Sequence, residues 1–306
     1  MKIKSKFIRP YADFIAGEIS LQRRMKIIID PSNGLAGEVM KSSLKKNKKI
    51  EDIYINDRPD GDFPAHGPNP SLVGSMDDIK SRVSYEKADA GFIFDGDGDR
   101  VFVIDDKGRS VHPDFLVKLY ADIYSPEKIV VDRRIGWLVT KDLARSSSVK
   151  IIKSKVGHSH VKDAMNRNTA DFGAEEAGHY YFNVEGCHID SGAIMTAKML
   201  TAVSALPSLS SWVDSQPQYF RFGEISFKVA DRDEFMTRIT KYAKDNGFKT
   251  DMEDGLSAER DDFHFNARPS ANEPLVRMDA EAVSDDVLRK EVQMIQSLIQ
   301  EQSENE

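Results

Sequence analysis

The 306 residues suffice for about two to four modest domains, and a hydrophobic content of 40% supplies material for buried cores. A formal charge of −7 excludes a general nucleic-acid footprint, which needs surplus lysine and arginine on one face. No apolar run approaches a membrane span, the start MKIKSKFIRPYADF lacks the apolar segment of a secretory signal, and the lone Cys187 rules out an internal disulfide or a cysteine-rich zinc site. The expected compartment is the cytoplasm, and the expected state of Cys187 is a buried thiol.

KIIID (26–30) reads as a buried strand, followed by the turn PSNGLAG and a helix from about Ala36. KKNKK (45–49) reads as a solvated helix end. IEDIYI and ADAGFIF are further strands, with a helical stretch around SLVGSMDDIKSRVSYEKA between them. This alternation predicts an α/β layer with a largely parallel sheet, closing near Gly108. The rhythm then restarts. A helix at DFLVKLYADIY, a strand at KIVVD, a helix at WLVTKDLAR and a strand at VKIIK precede GHSH. Another helix, a short strand at ADFGAE and a helix from about Asp190 to Ala205 follow, and LPSLSSWVDSQPQ suits a linker. Beyond it, RFGEISFKVA alternates like a strand, DEFMTRITKYAKDNG is a helix ending at Gly247, and FHFNA and PLVRMDAEA are strands around a loop. The last helix carries Val287, Leu288, Val292, Ile295, Leu298 and Ile299 on one stripe. The expectation is three domains: two α/β domains over 1–108 and 109–214, and a smaller α+β domain over 215–306.

GFIFDGDGDRVFVIDDKG (91–108) sets Asp95, Asp97 and Asp99 at alternate positions between apolar runs. Three carboxylates crowded into one turn repel each other and shift toward protonation unless a cation sits among them. A divalent ion bound by oxygen relieves this, and Mg²⁺ suits a site that leaves positions open for phosphate or water. Gly96 and Gly98 permit the tight turn. An EF-hand starting at Asp95 would want glycine where Arg100 stands and glutamate where Asp106 stands, so that reading fails. A phosphatase with Asp95 as aspartyl nucleophile and a plain exposed acidic turn stay open as alternatives.

Two further loops carry candidate chemistry. AEEAGHYYF (174–182) offers carboxylates that suit sugar hydroxyls and a histidine that suits an anion or a proton. NARPSANEPLVRM (266–278) crowds Arg268, Ser270, Asn272 and Arg277 around a loop stiffened by Pro269 and Pro274, which suits phosphate. VGHSHVK adds His158, His160 and Lys162; no third ligand with zinc spacing stands out, so phosphate or proton-transfer duty is preferred.

Together these segments resemble the α-D-phosphohexomutase family of phosphomannomutases and phosphoglucomutases. KIIIDPSNGLAG is similar to the entry of that family's second domain, PDGDFPAHGPNP to its Pro-Asp-Gly-x-Phe-Pro-x-His-x-Pro-Asn-Pro segment and DGDGDR to its metal loop. GHSHVK resembles the Gly-His-Ser loop of the third domain, AEEAGH its sugar-recognition loop and RPSANEP the phosphate loop of the fourth. The resemblance implies that Asp95, Asp97 and Asp99 hold Mg²⁺, with Arg100 beside the reacting phosphate. It implies His158 and His179 near the reacting end of the sugar and Glu175 accepting from its hydroxyls. Arg268, Ser270, Asn272 and Arg277 would grip the phosphate that is not transferred. The implied substrate is a hexose phosphate, and the implied reaction moves phosphate between positions 1 and 6 by way of a bisphosphate.

The family's first domain carries a phosphorylated serine in a Ser-His-Asn-Pro-type loop, and no such loop occurs here; the serines of RSSSVK lack its flanking residues. Ala177 replaces the family's usual serine and Asn272 its usual threonine. Three expectations follow: a mutase whose serine domain comes from another polypeptide or was lost, a non-catalytic hexose-phosphate binder, or an Mg²⁺-dependent sugar phosphatase. No nucleic-acid or membrane partner is expected.

Overall fold

The structure is a computed structural model describing residues 6–270 and 273–300. The chain divides into two compact units, one within Met1–Ile135 and Val139–Gln216 and the other within Gly136–Leu138 and Pro217–Glu306.

The first unit begins with α1 (Ile8–Gly17), β1 (Met25–Asp30), α2 (Ala36–Leu44), β2 (Ile50–Tyr54) and α3 (Asp77–Glu86). It continues through β3 (Ala90–Phe94), β4 (Val101–Asp105) and β5 (Ser110–Val111). These strands form one sheet in the order β2-β1-β3-β4-β5. β1 runs parallel to β2 and β3, whereas β3, β4 and β5 pair antiparallel. The expected parallel sheet is therefore mixed. The cause is the length of the aspartate turn: parallel strands need a crossover of a dozen or more residues, and the few residues after Phe94 allow only a return alongside β3. Every residue of β3 and β4 is buried, which is why both read as unbroken apolar runs.

α4 (Pro113–Tyr124) leads into a second sheet built from β6 (Lys128–Asp132), β7 (Lys150–Ser154), β8 (Phe172–Ala174), β9 (Tyr180–Val184) and β10 (Cys187–Asp190). Its order, β10-β9-β8-β6-β7, repeats the first topology: β6 lies parallel between β7 and β8, then β9 and β10 turn back antiparallel. A π-helical turn (Leu138–Leu143) and the short α5 (Ala144–Ser146) stand where the pattern predicts a plain α-helix. α6 (His158–Asn168), α7 (Gly192–Ser204) and α8 (Leu209–Asp214) complete the unit. α7 buries nearly its whole circumference, which explains its apolar composition. The expected linker contains α8: Ser208 caps it, Leu209 is buried, and the Ser210 N–H and hydroxyl both donate to Asp106 at 2.7 Å. Cys187 is exposed on the edge strand β10, not buried as expected.

The second unit carries β11 (Phe220–Lys228), α9 (Arg232–Asp245), β12 (Lys249–Asp251), β13 (Leu256–Glu259), β14 (Phe263–Pro269), β15 (Leu275–Ala282) and α10 (Asp285–Gln300). Its antiparallel sheet has the order β11-β15-β14-β13-β12. Phe227, Val276, Met278, Phe265 and Leu256 pack in one core with Phe235 and Ile239 of α9 and Leu288, Val292 and Ile295 of α10. Burying each such side chain contributes roughly 1.5–3 kcal/mol, so this face holds the unit together. The strand period of two leaves the opposite face to Ser226, Arg277, Arg268 and Asn266. The architecture is the expected one: two α/β sheets and an α+β portion. Among the described residues no helix is long and apolar enough to cross a membrane.

Candidate functional site

The aspartate turn links β3 to β4 at the carboxyl end of β3. Asp95 is buried, and its Oδ1 accepts the backbone N–H groups of Gly98 (3.0 Å) and Arg100 (3.1 Å). Its Oδ2 accepts Nε of Arg100 at 2.6 Å, so the first carboxylate ties the turn closed and aims the guanidinium. Gly98 has φ +81°, and a Cβ on Gly96 would lie 2.9 Å from Phe63 and from Pro68. PDGDFPAHGPNP thus packs directly behind the turn, and the Gly96 N–H donates to the Pro68 carbonyl at 2.9 Å. Gly34 approaches from the other loop: a Cβ there would stand 2.3 Å from the Gly96 carbonyl oxygen.

Behind these contacts runs a polar chain. Nε2 of His66 lies 3.1 Å from Asp30, whose other oxygen accepts the Ser32 N–H at 2.8 Å, and the Ser32 hydroxyl donates to the carbonyl of Phe94, the residue before Asp95. The Asp30 hydrogen bond raises the pKa of His66, against the opposing effect of its burial.

Carboxylate oxygens of Asp95, Asp97 and Asp99 lie within 4.8 Å of one another. Asp99 Oδ1 is buried without a hydrogen-bond partner, and burial together with the Asp95 charge pushes the Asp99 pKa up to about 6. Three hard oxygen donors, one of them orphaned, fit a divalent cation such as Mg²⁺.

The sugar-type loop occupies the same place in the second sheet, between β8 and β9, and Arg100 and His179 form a β-bridge that joins the two turns. Gly178 allows this approach, with φ +89° and its Cβ position 2.9 Å from Phe102. His179 Nδ1 stands 3.7 Å from Asp99 and 3.5 Å from Asp190, while Lys162 donates to Asp190 at 2.6 Å. Burial lowers the His179 pKa, but Asp190, Asp99 and Glu175 outweigh it and the net shift is upward. His179 and Lys162 hold Asp190 far below the ordinary carboxylate range. Asp99, His179 and Asp190 form a second group of potential metal ligands.

Glu175 is buried; its oxygens accept the Gly157 N–H at 2.7 Å and the Tyr181 hydroxyl at 2.5 Å. Its first duty is therefore to fasten the GHSH turn to the sugar-type loop, leaving only spare lone pairs for another donor. His158 opens α6 one residue past Gly157 and is exposed. Sequence reasoning missed Asp190, and it missed Asp132 and Arg134 as well. Asp132 is buried at the end of β6, accepts Arg134 Nη2 at 2.6 Å, and anchors the Glu176 N–H at 3.3 Å.

In the second unit, Arg268 of β14 and Arg277 of β15 stand directly opposite each other. Neither guanidinium makes a close bidentate pair: Arg268 lies 3.6 Å from Glu224 and 3.9 Å from Asp279, and Arg277 lies 3.7 Å from Glu224 and 3.4 Å from Glu273. Nε of each arginine is buried without a hydrogen-bond partner. The Ser270 N–H donates to Leu275, and Arg232 donates to the Ser270 and Glu273 carbonyls, clamping both sides of the loop. Asn272 lies outside the described residues.

Family models agree with this arrangement. Residues 9–108 match domain II and residues 115–220 match domain III of phosphoglucomutase/phosphomannomutase, each described as alpha/beta/alpha. A phosphomannomutase of Methanocaldococcus jannaschii is 33% identical over 303 residues, covering 97% of this chain and 66% of its own length. One from Escherichia coli is 31% identical, covering 92% and 64%. The crystal structure of a phosphoglucomutase/phosphomannomutase family protein from Burkholderia thailandensis superposes with a TM-score of 0.82 at 26% identity, over 96% of this chain and 63% of that one. The chain thus spans just under two thirds of the length of these relatives. With two consecutive domain models of one family and relatives along almost its full length, the chain belongs to the phosphoglucomutase/phosphomannomutase family, the α-D-phosphohexomutases.

Proposed function

We propose that this chain supplies the metal, sugar and phosphate sites of a phosphohexomutase, which moves phosphate between positions 1 and 6 of mannose or glucose phosphates with Mg²⁺. The observation that carries the reading is the convergence of three aspartates, one with an orphaned buried oxygen, beside Arg100 and His179. Asp95, Asp97 and Asp99 would hold the ion, which when bound draws charge from phosphoryl oxygens. Arg100 spends Nε on Asp95 and keeps its Nη groups for a phosphate. His179, whose carboxylate neighbours favour its charged form, donates to an oxygen at the reacting end of the sugar. His158 follows Gly157, whose N–H is held by Glu175, and Glu175 sets the loop that meets the hydroxyls. Arg268, Ser270, Asn272 and Arg277 grip the distal phosphate. The proposed functional division follows 1–108, 109–214 and 215–306.

The tying of both Asp95 oxygens weakens it as a nucleophile, which disfavours the phosphatase alternative. A separate serine-loop polypeptide has no support among the relatives, which are longer single chains.

The test incubates the chain with Mg²⁺ and glucose or mannose 1-phosphate, with and without the 1,6-bisphosphate, and follows 6-phosphate and free phosphate. Isomerisation supports the proposal. Free phosphate favours a phosphatase, and calorimetric binding without turnover a hexose-phosphate binder. Absence of any affinity for Mg²⁺ or phosphosugar removes the reading.

A further inference from the structure

β11 and β15 pair in register from Phe220 to Phe222 and again from Ile225, with a bulge between. Gly223 and Glu224 of β11 together oppose the single residue Asp279 of β15. A bulge inserts a residue and re-aims its side chain. Here it delivers Glu224 to both arginines: Oε2 at 3.6 Å from Arg268 and Oε1 at 3.7 Å from Arg277.

Two arginines directly opposite on adjacent strands repel each other and need an anion between them. Three carboxylates already serve them, those of Glu224, Asp279 and Glu273, so the face carries more acid than base. All the contacts are longer than the about 2.7–2.9 Å of a formed charge-assisted hydrogen bond, and both Nε groups keep a free donor. The side chain of Glu224 is 34% exposed and sits next to a glycine, so it can swing into water at small desolvation cost.

We propose that Glu224 is a resident counter-ion that sets the threshold of the cradle: an incoming anion must displace it from Arg268 and Arg277, so that monoanions bind too weakly to occupy the site and dianionic phosphate esters still do. This rests on the reading of the arginine loop as a phosphate site. A monoanion that replaces Glu224 exchanges charge for charge and gains little, whereas a dianion gains one further charge against two guanidiniums. The threshold comes from the resident competitor, and the preference between ligands from their charge.

Glucose 6-phosphate and glucose 6-sulfate, titrated calorimetrically at pH 8 into the full chain, distinguish the outcomes. The expected result is a marked preference for the phosphate ester in the wild type. In Glu224→Gln both esters gain about tenfold in affinity, which brings the sulfate ester into measurable binding and keeps the ratio between the two; Glu224→Asp, which keeps the charge, gains less. Affinities for both esters that stay unaltered in Glu224→Gln, with phosphate binding still lost in Arg268→Gln, overturn the role of Glu224 and leave the cradle standing. Phosphate affinity unaltered in both Arg268→Gln and Arg277→Gln overturns the cradle and the proposal with it. Melting curves that match the wild type establish that each variant is folded.

Discussion

The aspartate turn of the first unit and the arginine face of the second each force like charges together, but they relieve the repulsion differently. In the turn, Arg100 satisfies Asp95, and the remaining stress appears as a proton affinity of Asp99 raised to about 6. On the arginine face no such discharge exists, because a guanidinium does not give up its proton in a protein. Stress there is met by Glu224, Glu273 and Asp279 at loose distances. The acidic turn relieves its repulsion in part through Arg100 and in part through a raised proton affinity. The arginine face has only its neighbouring acids to relieve it.

The comparison breaks most directly at the aspartates. Asp97→Asn with Asp99→Asn should lower Mg²⁺ affinity on the order of 100-fold or more, read by calorimetry, because two of three hard ligands are neutralised. Unaltered affinity would point to Asp99, His179 and Asp190 or to another site altogether. Next in size is Arg268→Ala, expected to weaken phosphosugar binding by about 10- to 150-fold, the worth of roughly 1.5–3 kcal/mol for hydrogen bonds to a charged partner. A loss confined to Mg²⁺ affinity would contradict the division of labour between the two regions.

Gly34→Ala tests whether the turn is held from behind. Its methyl would meet the Gly96 carbonyl at 2.3 Å, so a destabilisation of about 1–3 kcal/mol and a fall in Mg²⁺ affinity should appear together. A folded variant with lower affinity and no change in melting would sharpen the case for a purely positional role.

The smallest effect concerns His66. Its pKa is raised in the folded chain above the ordinary 6.5, so the stabilisation it draws from Asp30 is fully present below the unfolded value and is lost as pH rises through the folded one. Melting of His66→Gln should therefore fall furthest below the wild type in mild acid, by a few degrees on the order of 2–4 °C per kcal/mol, and the gap should close as pH rises. A gap that widens with pH would reverse the assignment.

Much of this was legible in the residues, and the remainder was hidden for physical reasons. KIIID and KIVVD announce the central strands of the two α/β sheets, and each ends in a buried aspartate, Asp30 and Asp132, that accepts an N–H two residues on. That repeated Lys-Ile…Asp pattern was the available signal for Asp132 and Arg134. Asp190 gave no local signal, since its partners Lys162 and His179 come from separate elements. The strands β4, β5, β9, β10, β12 and β13 escaped because short antiparallel segments carry too few residues for a period to show. The serine-rich stretch around α8 looked like a linker because the cap at Ser208 and the bonds from Ser210 use the same polar residues that loops favour.

The backing of the aspartate turn by Pro68, Phe63 and Gly34 carries a consequence for how the molecule assembles. Those groups lie in the long stretch between β1 and β3, which pair with each other, and closing such a loop costs entropy before any contact rewards it. On the proposed reading of the turn, cation capture would then be a late event, with no purchase on the early chain. It would act as a latch that slows unfolding far more than it hastens folding.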